Sequence, residues 1–298
     1  MKFVEPKVEY WPQKSATQQV ARVGRICYKS QPKQPDENLS EAQQEAFREE
    51  QDFKLCKRFW DSGHKSMLRH GSLYFFVPND RKLPGHIWSI LYASPFIEYA
   101  NKEHKTWIST NTQFINENLQ LSALLRPYSV TEDEFIEKAT KESWVPAFLL
   151  LRMTLVVTTQ ISTTRELNRT SPNAIAEQST RYCNLEKKGG VQIAQPHWMM
   201  GATRWQKLLY ISVCKFSDWA YRRLLKTGMK PQDARGVLPL DTYTVAAYTY
   251  SISEWKHILD LRYHETTGKA HPNAHLVAAQ MYDLIKERLA PIAPEIEL

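Results

Sequence analysis

The sequence predicts an α+β fold in a single domain. Helical and strand-like segments follow one another without the regular βαβ alternation of doubly wound folds. The apolar, β-branched stretch Ala147–Thr159 predicts a buried strand, and Ala202–Leu225 has the pattern of a long amphipathic helix. No linker divides the 298 residues, so we predict one domain over 1–298, with an insertion-like, loop-rich stretch at about 78–109.

Capping patterns predict two helices in the first quarter of the chain. Ser15 is the predicted N-cap of a helix over Ala16–Tyr28. Ser40 and Gln43 form a predicted capping box before a helix at about Glu41–Asp61. The other elements predicted before residue 145 are strands at Lys2–Trp11 and Leu73–Val77 and helices at Asn111–Leu119 and Glu132–Lys141.

The second half is predicted to be mostly helical. Thr163–Asn168 is expected to begin a helix directly after the buried strand, and Thr242–Arg262 and Ala274–Leu289 are expected to be helices. Amphipathic helices of globular proteins turn their apolar stripe toward the core. In the helix Ala202–Leu225 that stripe consists of Trp205, Leu208, Leu209, Val213, Phe216 and Ala220.

Composition narrows the class of protein without identifying it. Hydrophobic residues make up 42% and charged residues 24%, which excludes wholesale disorder, collagen and a coiled-coil rod. A formal charge of +7 favours anionic partners such as nucleotides, nucleic acid or a membrane surface. The four cysteines lack CxxC spacing, the start of the chain does not resemble a signal peptide, and no apolar run could span a bilayer. We therefore expect a cytoplasmic protein with reduced thiols.

The densest polar segment, residues 165–182, follows the predicted buried strand. Its arginines present planar forks of donors that suit a phosphate or a pyrimidine carbonyl, and its hydroxyl groups can complete an anion site. Composition alone favours the simpler interpretation of a solvated, hydrogen-bonded loop.

Three smaller clusters contain further arginines and histidines. Arg235 stands beside a turn, and a surface arginine would explain it equally well. Arg262 is near the end of a predicted helix, where a cation also pairs with the helix dipole. His64 and His70 lie in Gly63–His70, where a structural histidine is the commoner case. No HExxH, GxSxG, P-loop or GxGxxG pattern is present, so no metal site is predicted.

Taken in order, these clusters resemble the flavin-dependent thymidylate synthases, also called thymidylate synthase complementing proteins. Each piece is weak alone, but five in the family's order and spacing are specific. They are Arg25–Ser30 (RICYKS), Gly63–His70 (GHKSMLRH), Ala176–Tyr182 (AEQSTRY), Ala234–Pro239 (ARGVLP) and Leu261–Arg262.

The resemblance implies a fold, an assembly and a reaction. The fold would be α+β, with a central, mostly antiparallel sheet flanked by helices. The assembly would be a homotetramer with active sites between subunits. The enzyme would be a methyltransferase that converts dUMP to dTMP, taking its carbon from methylenetetrahydrofolate and using FAD reduced by NADPH. No membrane or nucleic-acid partner is expected.

The resemblance also assigns roles to particular residues. Arg262 and Ser179 would be catalytic, Arg262 by contacting the uracil ring. Those implied to bind dUMP are Glu166, Arg169, Ser179, Arg181, Arg235 and Arg262, and those implied to bind FAD are His70, Arg169, Glu177 and His257.

The chain departs from the family pattern on the flavin side. Thr170 and Ser171 replace a His and an Arg, Ala174 replaces a Ser, and Arg69 replaces a Glu. Ser251 and Ser253 replace an Asn and an Arg. Two other functions therefore stay open, namely different C5 chemistry on a pyrimidine deoxynucleotide, such as hydroxymethylation, and non-catalytic binding of a nucleotide or nucleic acid.

Overall fold

The computed structural model describes residues 1–170, 174–187 and 190–298, and it confirms the predicted α+β class with antiparallel sheets. The strands are β1 (Lys2–Val4), β2 (Lys7–Tyr10), β3 (Ser72–Val77), β4 (Ile97–Lys102), β5 (Lys105–Asn111), β6 (Ser129–Val130), β7 (Arg152–Gln160), β8 (Ile175–Glu177), β9 (Gln192–Ala194) and β10 (Tyr243–Ser251).

Helices connect and cover these strands. They are α1 (Ala16–Tyr28), α2 (Glu41–Asp61), α3 (Gly85–Ala93), α4 (Thr112–Glu117), α5 (Leu119–Leu125), α6 (Glu132–Lys141), α7 (Val145–Phe148), α8 (Ile161–Asn168), α9 (Arg204–Lys226), α10 (Pro231–Ala234), α11 (Ile252–Arg262) and α12 (Pro272–Leu289). Short 3-10 turns occur at Lys65–His70 and Arg235–Val237, among other places. None of the described helices is long and apolar enough to cross a bilayer.

The main sheet has the strand order β2-β7-β10-β8 and is antiparallel throughout. All nine residues of β7 are buried, so the predicted buried strand exists. It begins five residues later than predicted, because α7 and its C-cap occupy the start of the segment. The prediction of one helix over Thr242–Arg262 is wrong for its first half, where β10 pairs with β7 along nine residues. Pairing on both sides overrides the local helical pattern.

A second antiparallel sheet has the order β4-β5-β3-β6. The prediction of a loop-rich stretch at about 78–109 is wrong, since this stretch contains α3, β4 and nearly all of β5. Its aromatic and β-branched residues enter the core, and both Trp107 and Ile108 of β5 are fully buried. The single-domain assignment over 1–298 stays a prediction.

The long helix α9 matches its predicted bounds but turns the opposite face inward. It packs on the β1–β9 pair with Cys214 and Tyr221 buried, and Asp218 also points inward. Of the predicted stripe, Ala220 is half-buried, while five residues are more than half exposed. These are Trp205, Leu208, Leu209, Val213 and Phe216, and Trp219 joins them on the exposed side.

The caps predicted for α1 and α2 are both present. The Ser15 hydroxyl accepts a hydrogen bond from the Gln18 N–H, and Ser40 and Gln43 form a reciprocal capping box. The two helices approach closely at Gly24, where an added Cβ would lie 2.4 Å from the Phe59 ring. A glycine at this position therefore lets α1 and α2 pack against each other.

Candidate functional site

A tight turn directly after β8 carries Ser179 and Arg181. The Gln178 N–H donates to the Val245 carbonyl at 2.8 Å, and the Ser179 N–H donates to the Cys27 carbonyl at 2.9 Å. The Ser179 hydroxyl oxygen accepts from the N–H groups of Arg181 (3.2 Å) and Tyr182 (3.3 Å). This hydroxyl therefore shapes the turn, while the Arg181 side chain is left exposed.

Arg235 reaches this turn from the short helical segment after α10. Its Nη1 donates to the Thr180 hydroxyl at 2.7 Å, and its Nε donates to the Gln232 carbonyl at 3.1 Å. The guanidinium is exposed, so its remaining N–H groups face solvent. The hydrogen bond between Thr180 and Arg235, which are 55 positions apart, thus brings two arginines, Arg181 and Arg235, to one turn.

Arg262 closes α11 and contacts the end of α8. Its Nη2 donates to the Glu166 carbonyl at 3.0 Å. Its Nε is buried and has no hydrogen-bond partner among the described residues. Arg169 is the exposed C-cap residue of α8, the helix whose Glu166 carbonyl accepts this hydrogen bond from Arg262.

The Glu177 carboxylate is held by hydroxyl and amide groups. Its Oε1 accepts from the hydroxyls of Thr164 (2.9 Å) and Thr244 (3.0 Å), and its Oε2 accepts from the Asn168 amide at 3.4 Å. The Tyr248 hydroxyl donates to the other end of the same amide, Asn168 Oδ1, at 2.9 Å. These contacts fix the orientation of α8 relative to β10.

His70 lies completely buried at the end of a 3-10 turn. Its Nδ1 is 2.8 Å from the Thr249 hydroxyl, which is itself 2.7 Å from the Thr154 hydroxyl. Burial, followed by the positive charge of Arg152, lowers the pKa of His70 to about 3. The imidazole is therefore neutral at physiological pH and belongs to an interior hydroxyl network.

Two of the residues that depart from the family pattern use their polar groups in hydrogen bonds within the fold. Ser251 is the N-cap of α11, in a capping box with Glu254, and its hydroxyl donates to Glu98 Oε1 at 3.1 Å. Burial, reinforced by the Glu254 charge, raises the pKa of Glu98 to about 7. Ala174 is fully buried, and its carbonyl accepts the Thr249 N–H at 3.0 Å.

The residues assigned to FAD do not form one open site. His70 is enclosed, Glu177 is held in its network, and His257 is exposed on α11 with no hydrogen bond to the others in the described part of the chain. Ser253 is exposed, and Ser171 lies outside the described residues. Within one chain, His70 and Glu177 are therefore committed to internal hydrogen bonds, and the FAD assignments stay predictions for a site that the resemblance places between subunits. Within the described ranges, no three His, Cys, Asp or Glu side chains are placed to hold a metal ion.

The sequence did not single out Glu98, which bonds to Ser251, or Arg152, which lies beside the hydroxyl network of His70. Arg152 is buried at the start of β7, and its Nη2 donates to the carbonyls of Arg69 (3.3 Å) and Thr249 (3.2 Å). The one available indication in the sequence is a charged side chain beside apolar residues of a strand, Glu98 after Ile97 in β4 and Arg152 before Met153 in β7. The partners of these groups are up to 153 residues away, so local spacing cannot identify them.

Comparison with known proteins finds one matching family and a set of similar solved structures. The family described as thymidylate synthase complementing protein (Thy1) matches residues 91–292, more than half of the chain. No curated protein matches. Two structures of a UMP/dUMP methylase PolB from Streptomyces cacaoi, bound with 5-Br dUMP and 5-Br UMP, are similar with TM-scores of 0.41 and 0.40. Their identities are 24% and 23%, and the alignments cover 51% of this chain and 74% and 76% of those chains.

Proposed function

We propose that this chain, which belongs to the thymidylate synthase complementing protein family, binds dUMP and adds a one-carbon group at C5 of its pyrimidine ring. The observation that carries the proposal is the 2.7 Å hydrogen bond from Arg235 to Thr180, which joins two separate family motifs at one turn. Exposed guanidinium forks at Arg181 and Arg235 match the oxygens of a 5′-phosphate, and Ser179 holds the turn in shape.

Arg262, with Glu166 and Arg169 beside it, would face the pyrimidine ring. A nucleophilic C5 requires negative charge to develop on a ring carbonyl oxygen, and a fixed guanidinium stabilises that charge. The hydrogen bond to the Glu166 carbonyl orients the Arg262 side chain before substrate binds. The role of Arg262 would therefore be electrostatic, with no covalent bond to the substrate.

The co-substrates follow from the family and stay predictions. Methylenetetrahydrofolate would supply the carbon, and methylation to dTMP would further need two electrons, for which the resemblance implies FAD and NADPH. Of the residues assigned to FAD, His70 is buried and Glu177 is bonded to Thr164 and Thr244 within this chain.

The second candidate function is hydroxymethylation of dUMP, which is favoured because two flavin-side residues already use their polar groups within the protein. Transfer of the methylene group to C5 followed by addition of water yields 5-hydroxymethyl-dUMP and tetrahydrofolate, with no external reductant. The specific observation is that Ser251 and Ala174 are satisfied within the protein.

The homotetramer implied by the family is supported by the exposed face of α9. Four side chains on this face, Trp205, Leu209, Phe216 and Trp219, each expose more than half of their surface. A continuous apolar helix face of this kind is typical of subunit contacts. Light scattering of the full chain and of L209E tests this: dissociation of an assembly by L209E supports the proposal, and a wild-type monomer contradicts it.

The reaction is tested by product analysis. The protein is incubated with dUMP, isotopically labelled methylenetetrahydrofolate and NADPH, with and without FAD, and the nucleotide product is identified by mass. Label in dTMP only when FAD is present supports methylation, and label in a hydroxymethyl product without FAD supports the second candidate. Bound dUMP without any labelled product contradicts both. Parallel titration with FAD, followed by visible absorption, tests flavin binding directly.

A further inference from the structure

A cleft of about 1030 Å³ opens between α1 and α2, beside the turn that carries Ser179. Gln178, which is almost fully buried, forms part of its wall and is also the residue before Ser179. The volume is at the upper end of that of small-molecule sites. None of the residues assigned by the family resemblance to dUMP or FAD lines this cleft.

The cleft has a surplus of positive charge. It is lined by five cationic and three acidic side chains. Two of the acids are already paired, Asp52 with Arg25 at 2.7 Å and Glu45 with Arg48 at 3.1 Å. Glu49 is the third. The surplus favours an anionic ligand over a neutral one.

Arg22 is one of the five cationic residues that line the cleft. Its guanidinium lies 4.0 Å from the centroid of the Trp11 ring, and within the described ranges neither Arg22 nor Lys14 has a carboxylate within 4.0 Å. Partial burial lowers the pKa of Arg22. A cation that is partly removed from water without a counter-ion is stabilised by an anionic group placed beside it.

Two other features specify the remainder of the ligand. Gln18 lines the cleft, and its buried Oε1 has no hydrogen-bond partner among the described residues, so a change of rotamer would let it accept an N–H or O–H from a ligand. Phe53 leaves 62% of its surface exposed on the opposite wall, where it can cover a planar ring. Ring stacking on an aromatic side chain adds to the electrostatic attraction.

We infer that the α1–α2 cleft binds an organic anion that carries a planar, hydrogen-bond-donating ring, and that it serves as the co-substrate site beside the nucleotide turn. This inference rests on the proposed function, which requires a second substrate. The chemistry is shared by reduced folates, through their glutamate carboxylates, and by pyridine dinucleotides, through their phosphates.

The test is calorimetric titration of the full chain with folinate and, separately, with NADPH, each with and without dUMP. R22Q removes the charge and the fork, and we expect it to weaken binding of the bound probe about ten- to a hundredfold. Lys14 is exposed, so K14Q should leave folding unchanged and should weaken binding about threefold. R58Q, on an exposed part of α2 outside the cleft, is the matched control and should leave the affinity unchanged.

Folinate and NADPH distinguish the two ligand classes, because the probe that binds identifies the ligand as a reduced folate or a pyridine dinucleotide. Binding of neither probe overturns the inference, and so does an effect of R22Q below twofold or equal to that of R58Q. The dUMP affinity of each variant is measured in parallel. If the wild type does not bind dUMP, the proposed function is contradicted. If it binds dUMP but neither folinate nor NADPH, only this inference is contradicted.

Discussion

The family signature divides into two halves that are built differently. On the nucleotide side, Arg181 and Arg235 are exposed and keep N–H groups directed at solvent. On the flavin side, Ser251 and Ala174 are fully buried, and their polar groups are bonded to the protein. The exposed arginines therefore keep donors that face solvent, whereas the polar groups of Ser251 and Ala174 are used within the protein.

The chemical reason lies in the number of donors that remain available. A guanidinium has five N–H groups, and Arg235 uses two of them on Thr180 and Gln232. A serine hydroxyl has a single donor, and that of Ser251 is given to Glu98. Because this donor is used on Glu98 and the hydroxyl oxygen accepts from the Glu254 N–H, Ser251 has no donor left for a ligand.

The largest expected effect concerns Glu98, on the interior side of this comparison. Its folded pKa of about 7 exceeds the ordinary value of 4.5, so between these values the folded state keeps a proton that the unfolded state has lost. Stability should therefore fall by about 3 kcal/mol as the pH rises from 4.5 to 7. Glu98→Gln should remove this slope, measured by urea unfolding across that range. An unchanged slope in the variant would exclude Glu98 as its source.

Arg262 gives the largest expected effect on the nucleotide side. Arg262→Gln keeps an amide that can donate to the Glu166 carbonyl, but it loses the charge and the buried Nε. We expect kcat/KM for dUMP to fall about a hundredfold, since charge-assisted hydrogen bonds contribute about 1.5–3 kcal/mol each. Steady-state kinetics checks this, with thermal unfolding as the control for folding. A change below threefold would remove Arg262 from the site.

Arg181 should show a smaller effect, because its side chain is exposed and the bond that it offers is screened by water. Arg181→Gln should raise the dUMP Kd about tenfold and leave the unfolding midpoint unchanged. Calorimetry measures both, with R58Q as the matched control. Equal affinities for the two variants would contradict a phosphate contact at this turn.

Ser251 gives the smallest effect and the most direct contrast. Ser251→Ala removes the N-cap of α11, which costs about 1 kcal/mol of unfolding free energy. The affinity for dUMP should not change, because the hydroxyl is used within the protein. A loss of dUMP binding without loss of stability would show that the interior half still participates in binding.

Local chemistry made part of this fold predictable. The caps at Ser15 and Ser40, the buried strand and the order of the motifs could all be read from neighbouring residues. Long-range pairing made other parts unpredictable. The strand β10 pairs with β7, which ends about 80 residues earlier, and β5 pairs with β3 across the intervening α3 and β4.

The site shows the same limit. The resemblance named Ser179, Arg235 and Arg262, but only the structure shows that Ser179 shapes the turn and that His70 is enclosed. The apolar stripe of α9 was identified correctly, yet its direction was not. Periodicity locates a stripe, and it cannot distinguish a core from a neighbouring subunit.

The order of strands in the main sheet has a consequence for how the chain folds as it is synthesised. The wholly buried strand β7 lies between β2, near the start of the chain, and β10, which follows about 80 residues later. When β7 has just been synthesised, one edge of this apolar strand keeps its backbone N–H and C=O groups unpaired, because β10 has not yet been made. Such an intermediate is vulnerable to aggregation, so the yield of active protein should depend on translation speed and on chaperones.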